Sequence, residues 1–226
     1  MEEKYLLDKH TVSTGITDLD IILSGGFTKA STVAVLGPVG IEKLLFGLYF
    51  MSTKQTRNFY ATFDMSIKEI NQRAEQYNIH LNVEKFLDGY SKQSGVEVEK
   101  GAIELDGATD LNNLSLEINK ILHSLNKWQT GKFLIHSFST LMLYNPINSV
   151  TKFMQVIDGR IKAHDGILMI LIEKGLHKEN DLNLILRNCD YVMNVEKKDK
   201  MMWSISLSFL PFPIQFNVGS EGITIL

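Results

Sequence analysis

The chain has 226 residues, 44% of them apolar and 22% charged. That is enough apolar material for a large core, and it excludes both a short disulfide-stapled module and a disordered chain. Its 23 Lys and Arg against 26 Asp and Glu give a formal net charge of −3, which argues against nucleic-acid binding driven by bulk charge and leaves room only for a local basic patch. Only four cations are arginines, Arg57, Arg73, Arg160 and Arg187, so the capacity for bidentate phosphate recognition is thin. A single cysteine, Cys189, excludes an internal disulfide and a zinc site built on several cysteines. The six histidines are scattered without metal-ligand spacing. The longest purely apolar run, Ile167 to Ile172, falls far short of the roughly 20 residues that span a membrane. The opening Met1-Glu2-Glu3-Lys4 has no signal-peptide core, and the expected location is the cytoplasm.

Taken in order, the segments alternate between strand-like and helix-like patterns, as in an α/β fold with a mainly parallel sheet. Thr17 is expected to cap a short helix, with Asp20 at the third position and Gly25-Gly26 ending it. Ser31–Leu36 is a buried-strand run that meets Gly37, and a helix follows from about Glu42 to Ser52. Asn58–Asp64 is a second strand. Ser66 with Glu69 forms a capping box for a helix to about Tyr77. A short strand is expected over Glu84–Gly89, and the stretch from Tyr90 to Asp110 reads as loop. Leu114, Ile118, Ile121, Leu122 and Leu125 carry a helical period over Leu114–Trp128.

Lys132–Ser137 reads as a strand, Val150–Ala163 as a helix and Gly166–Ile172 as a fully buried strand. His177–Asn188 is read as a helix and Asp190–Val195 as a strand. Then the pattern changes. Met201–Leu210, Ile214–Val218 and Ile223–Leu226 read as consecutive hairpin strands, with turns at Lys198-Asp199, at Pro211 and Pro213, and at Ser220-Glu221-Gly222. No repeat, low-complexity tract or second domain is evident, so residues 1–226 are read as one domain.

The strand-to-helix junction Gly37-Pro38-Val39-Gly40-Ile41-Glu42-Lys43-Leu44 is half of the phosphate-binding pattern GxxxxGK[ST]. Gly37 and Lys43 are kept. Glu42 replaces the second glycine, which adds bulk and a negative charge where backbone N–H groups would approach a polyanion. Leu44 replaces the hydroxyl residue that coordinates Mg²⁺. Taken alone, the octet is as well explained by a tight turn holding two glycines.

The surrounding segments carry a resemblance. Ser13-Thr14-Gly15-Ile16-Thr17-Asp18-Leu19-Asp20 with Ser24-Gly25-Gly26-Phe27 resembles the lead-in of RecA-superfamily ATPases, and among them the KaiC-like archaeal and bacterial group. Phe63-Asp64-Met65-Ser66 resembles the strand end that bears the group's catalytic carboxylates. Phe133-Leu134-Ile135-His136-Ser137-Phe138-Ser139-Thr140-Leu141 resembles the segment around the Mg²⁺-site (Walker B) aspartate. Pro213–Ile223 resembles the closing strands. The likeness runs over roughly Val12–Leu226 and implies a RecA-like α/β fold: a mostly parallel central sheet flanked by helices, with C-terminal antiparallel strands.

The departures run in one direction. His136 stands at the Walker B aspartate position. The acidic pair is reduced to Asp64, with Met65 beside it. The family segment whose cations sense a neighbouring subunit's nucleotide falls near Ser206-Leu207-Ser208-Phe209, which has no cation. Phosphoryl transfer needs a phosphate cradle, Mg²⁺, a water-positioning base and added cations. With all four damaged, the resemblance implies a pseudo-ATPase with no catalytic residue and no expected cofactor, on which ATP or ADP binds weakly if at all through a vestigial loop of Gly37, Gly40 and Lys43.

Single residues have plain structural readings as well. The Lys43 ammonium is expected to pair with Glu42 or Glu69 or to be solvated. Asp64 is expected to favour the N-terminus of the following helix. His136 is read as a hydrogen-bonded structural residue rather than a metal ligand or pH sensor, and Cys189 as buried filler. Leu141-Met142-Leu143-Tyr144 falls, by the resemblance, in a loop after the Walker B strand, where it either docks a partner or packs under the following helix. Hairpin packing accounts for Met201-Met202-Trp203. The expected function is that of a catalytically inactive KaiC-like domain acting as a regulatory or protein-interaction module, binding a protein partner, an active paralogue or a second copy of itself, without direct nucleic-acid binding. The alternatives are weak nucleotide binding without efficient hydrolysis, and service as an accessory protein of a DNA recombinase.

Overall fold

The computed structural model describes residues 10–199 and 202–226. A small ribbon of β1 (Thr11–Val12) and β2 (Phe27–Thr28) frames α1 (Thr17–Ile22). Then follow β3 (Ser31–Gly37), α2 (Ile41–Ser52), β4 (Arg57–Thr62), α3 (Ile67–Gln76), β5 (Lys85–Asp88), β6 (Ile103–Glu104), α4 (Leu111–Ser124), β7 (Gly131–His136), α5 (Phe138–Tyr144), α6 (Ile147–Ala163), β8 (Ile167–Glu173), α7 (Glu179–Leu186), β9 (Tyr191–Lys197), β10 (Met202–Leu207), β11 (Ile214–Gly219) and β12 (Gly222–Ile225). The main sheet has the order β12-β11-β10-β9-β3-β8-β7-β4-β5-β6. From β9 to β6 every pairing is parallel, and β10 to β12 extend the β9 edge antiparallel. This is the expected α/β architecture with C-terminal antiparallel strands. Met201, where the first of those strands was expected to begin, lies outside the described residues.

The apolar runs are buried on both faces because each strand alternates its side chains between two cores. In β3, Val33 and Val35 join one core while Ala34 and Leu36 join the other. In β8, Ile167, Met169 and Leu171 face the first and Leu168, Ile170 and Ile172 the second. Residues of α2, α3 and the C-terminal strands close the first core; α4, α5, α6 and α7 close the second. Each fully buried Leu, Ile or Val contributes about 1.5–3 kcal/mol. Gly47 lets α2 settle closely on the sheet: a β-carbon there would lie 3.0 Å from Leu134 and 3.2 Å from Leu171.

Three local expectations are corrected. Thr17 does not cap α1. The cap position is Ile16, which has no side-chain bond, and Asp20 instead accepts from the Ser13 hydroxyl (2.5 Å) and the Thr14 N–H (2.6 Å), tying the lead-in back onto its own helix. The segment after β7 is not a loop but α5, capped by the Ser137 side chain accepting from the Thr140 N–H, with Leu141 and Met142 buried. The Tyr90–Asp110 stretch contains β6, a two-residue edge strand. The capping box at Ser66 forms as expected, its side chain accepting from the Glu69 N–H (3.2 Å).

A buried lysine pins the lead-in. Lys132, at the start of β7, is wholly buried, and its ammonium donates to the Ser13 carbonyl (2.7 Å), the Phe50 carbonyl (3.0 Å) and the Thr53 hydroxyl (2.8 Å) while lying over the Phe50 ring. Three neutral acceptors match its three donors, and burial pulls its pKa down to about 7. Lys132→Met is expected to leave both carbonyls short of a donor and to cost about 1–3 kcal/mol. Urea unfolding checks this as a lower midpoint with an unchanged slope.

Candidate functional site

The candidate site sits where β3, β4, β7 and β8 end. After β3 the chain turns through exposed Val39 and Gly40 into α2. Gly40 occupies the cap position with φ of +152°, a conformation side chains rarely adopt. A β-carbon at Gly40 would also lie 2.4 Å from the Glu42 carboxylate, so the Glu42 side chain curls back over the loop. Leu44 turns away from the cleft and is buried in the core, so no hydroxyl faces the loop from that position.

Lys43 is only 3% exposed. Its ammonium pairs with Glu173 Oε1 at 3.3 Å and donates to the Pro38 carbonyl, also at 3.3 Å. Neither Glu42 nor Glu69, the partners expected from the sequence, takes it, and it is not solvated. Sheet order explains the outcome. Glu173 ends β8 directly beside Gly37 of β3, and Lys43 stands one helical turn into α2 above that pair. Glu173 was not foreseen. Its one sequence signal is an acid closing the otherwise unbroken apolar run Ile167–Ile172.

Asp64 and His136 close the other side. The Asp64 carboxylate lies 3.7 Å from His136 Nδ1, and its side chain is 33% exposed. Burial, then the nearby Glu173 charge, pushes the Asp64 carboxyl up to about 6, with Lys43 pulling the other way. Asp64 thus faces the His136 side of the site, while the cap of α3 is Ser66. His136 is buried, and its Nδ1 shares a hydrogen bond with the Tyr60 hydroxyl at 3.0 Å. Burial, with the Lys43 charge, pulls His136 down to about 3, while burial raises Tyr60 well above its ordinary value. Both groups are therefore held neutral at physiological pH. Met65 is half-buried against the core and brings no carboxylate.

The next shell fixes Glu173. Its N–H donates to the Ser139 hydroxyl (2.8 Å), whose oxygen also lies 2.8 Å from His177 Nε2, and the Lys174 N–H donates to the Gly37 carbonyl (2.8 Å). Ser206 and Leu207 lie in β10, and Phe209 is exposed in the turn beyond it. Cys189 is partly buried, and burial pushes its thiol up to about 12, matching the filler reading. Among the described residues no group of three or more His, Cys, Asp or Glu is placed to hold a metal ion, and no helix is long and apolar enough to cross a membrane.

The raised Asp64 pKa gives a signed prediction. Between pH 3.8 and about 6 the folded state holds the Asp64 proton more tightly than the unfolded chain, so ionisation above that window works against folding. Asp64→Asn is expected to match the wild type near pH 4 and to exceed it by about 1 kcal/mol at pH 7, a figure reduced for partial solvent exposure. His136 has the opposite sign between about 3 and 6.5 and is common to both proteins. Paired urea melts at the two pH values read the difference.

Comparison with known proteins agrees with the geometry. A KaiC-like protein of the hyperthermophilic archaeon Pyrococcus horikoshii superposes with a TM-score of 0.70 at 14% sequence identity, over 96% of this chain and 98% of that one, which establishes a shared fold. No curated protein matches the sequence. The family model described as the KaiC ATPase matches residues 12–201, from the lead-in past the phosphate loop, the Asp64 strand end and the His136 strand. The chain belongs to the KaiC family of ATPase domains.

Proposed function

We propose that this chain is a KaiC-family domain that no longer hydrolyses ATP and acts through protein contacts, as a regulatory or interaction module. The observation that carries this reading is the commitment of Lys43 to Glu173, in a cleft where Leu44, Met65 and His136 occupy positions that the family resemblance gives to a Mg²⁺-binding hydroxyl and acids. No carboxylate besides Asp64 stands at that strand end, and Asp64 faces a neutral histidine rather than a metal-binding acid.

Surface chemistry supports the interaction role. Val39 in the loop is 81% exposed and Leu176, just beyond β8, is 46% exposed, so apolar side chains follow two adjacent strand ends at the cleft. Leu143 and Tyr144 at the end of α5 are also exposed. Such side chains at a cleft edge favour a protein partner, whether a second copy, an active paralogue or another protein.

Steady-state hydrolysis of ATP with Mg²⁺ is the test. The expected rate is indistinguishable from that of Lys43→Ala, and turnover that disappears in that variant would sink the proposal. A second reading, weak nucleotide binding through Gly37, Gly40 and Lys43, draws on the glycine geometry retained at the start of α2. Thermal unfolding with millimolar ATP or ADP separates the two. Binding at a hundredfold excess over Kd stabilises by about 2.7 kcal/mol, and the expected result is no shift.

A further inference from the structure

We propose that Glu173 is an internal anion that holds the phosphate loop shut, so that the loop is a latent anion site rather than a dismantled one. The inference rests on reading Gly37–Leu44 as a phosphate loop in a domain that does not turn over nucleotide, and it adds an internal competitor for the loop's cation.

Three observations carry it. First, Lys43 is the loop's one cation, and both acceptors that hold it belong to the chain itself: the Glu173 carboxylate and the Pro38 carbonyl, each at 3.3 Å. Second, Glu173 is placed, not merely nearby. Its own N–H is bound by Ser139, the next N–H is bound by Gly37, and its register partner is Gly37. A carboxylate anchored on both sides acts at a fixed high effective concentration that a dissolved anion must outcompete. Third, two features of an anion site are kept. Gly40 keeps a backbone conformation that suits glycine at the start of the 12-residue helix α2, and the Glu173 side chain is 21% exposed, so a ligand approaching from solvent can reach the pair.

The charge logic then has a direction. A buried ammonium deprived of its carboxylate is costly, and an incoming anion that pairs with it relieves that cost. Glu173→Gln keeps the shape and hydrogen-bonding atoms of the side chain while removing the charge that fills the site. Glu42, folded over Gly40, remains as a residual repulsion, so the gain is expected to be partial.

The probe is inorganic pyrophosphate, titrated calorimetrically into the full chain without Mg²⁺. Glu173→Gln, with Glu173→Ser as a second variant, is expected to bind at least about tenfold more tightly than the wild type, and adding Lys43→Gln is expected to abolish the gain. Affinity within twofold of wild type in both variants overturns the proposal, as does a gain that survives loss of Lys43. If neither variant keeps a wild-type circular dichroism spectrum and a cooperative melt, the pair is a structural strut and the proposal falls as well. Failure on any of these counts leaves the wild type's lack of turnover untouched, whereas turnover by the wild type sinks the earlier reading whatever Glu173 does.

Discussion

Strand β3 is buried along all seven residues between β8 and β9, and its side chains are divided between two cores of unequal demand. Val33 and Val35 fill one side; Ala34 and Leu36 fill the other. A slip of one residue against either neighbour would exchange the two sets and put Ala34 where a valine is needed. The register is therefore fixed, and the position of everything at the carboxyl end of β3 is fixed with it. Gly37 must lie beside Glu173, α2 must start just beyond, and Lys43 must return over the strand ends. The composition of the cleft follows from the packing of the core beneath it.

Within that frame, the electrostatics of the cleft are set by one ammonium and three carboxylates. Glu173 takes the ammonium directly, Glu42 folds over the loop, and Asp64 is left facing a histidine that burial keeps neutral. The consequences are mutually consistent. The same Glu173 charge that satisfies Lys43 raises Asp64, and the same Lys43 charge that is satisfied helps keep the proton off His136.

The fold was legible because parallel strands covered on both faces are written as unbroken apolar runs. Gly166–Ile172 and Ser31–Leu36 could be little else, and the closely spaced strands and turns after Lys198 marked the antiparallel edge. What escaped reading was short or non-local. Helix α5 has seven residues, too few for a helical period to separate it from strand or loop. The Thr17–Asp20 spacing has the form of a capping box, but Asp20 has closer donors in Ser13 and Thr14, presented by the turn before the helix. Asp64 and His136 were found from their positions in motifs. Glu173 could not be paired with Lys43 from sequence, because 130 residues separate them and only the order β3-β8 brings them together. The local environment of a residue is written nearby in the chain; its charge partner across a sheet is not.

Cys189 has a practical consequence. Its thiol is partly buried and needs a pH near 12 to ionise, and thiolate is the reactive form. It is also the chain's single cysteine. At neutral pH its thiolate fraction is thus well below that of a free cysteine. A cysteine placed at exposed Val39 would be alkylated in preference to it, and a fluorophore or spin label attached there would report the conformation of the loop above Lys43.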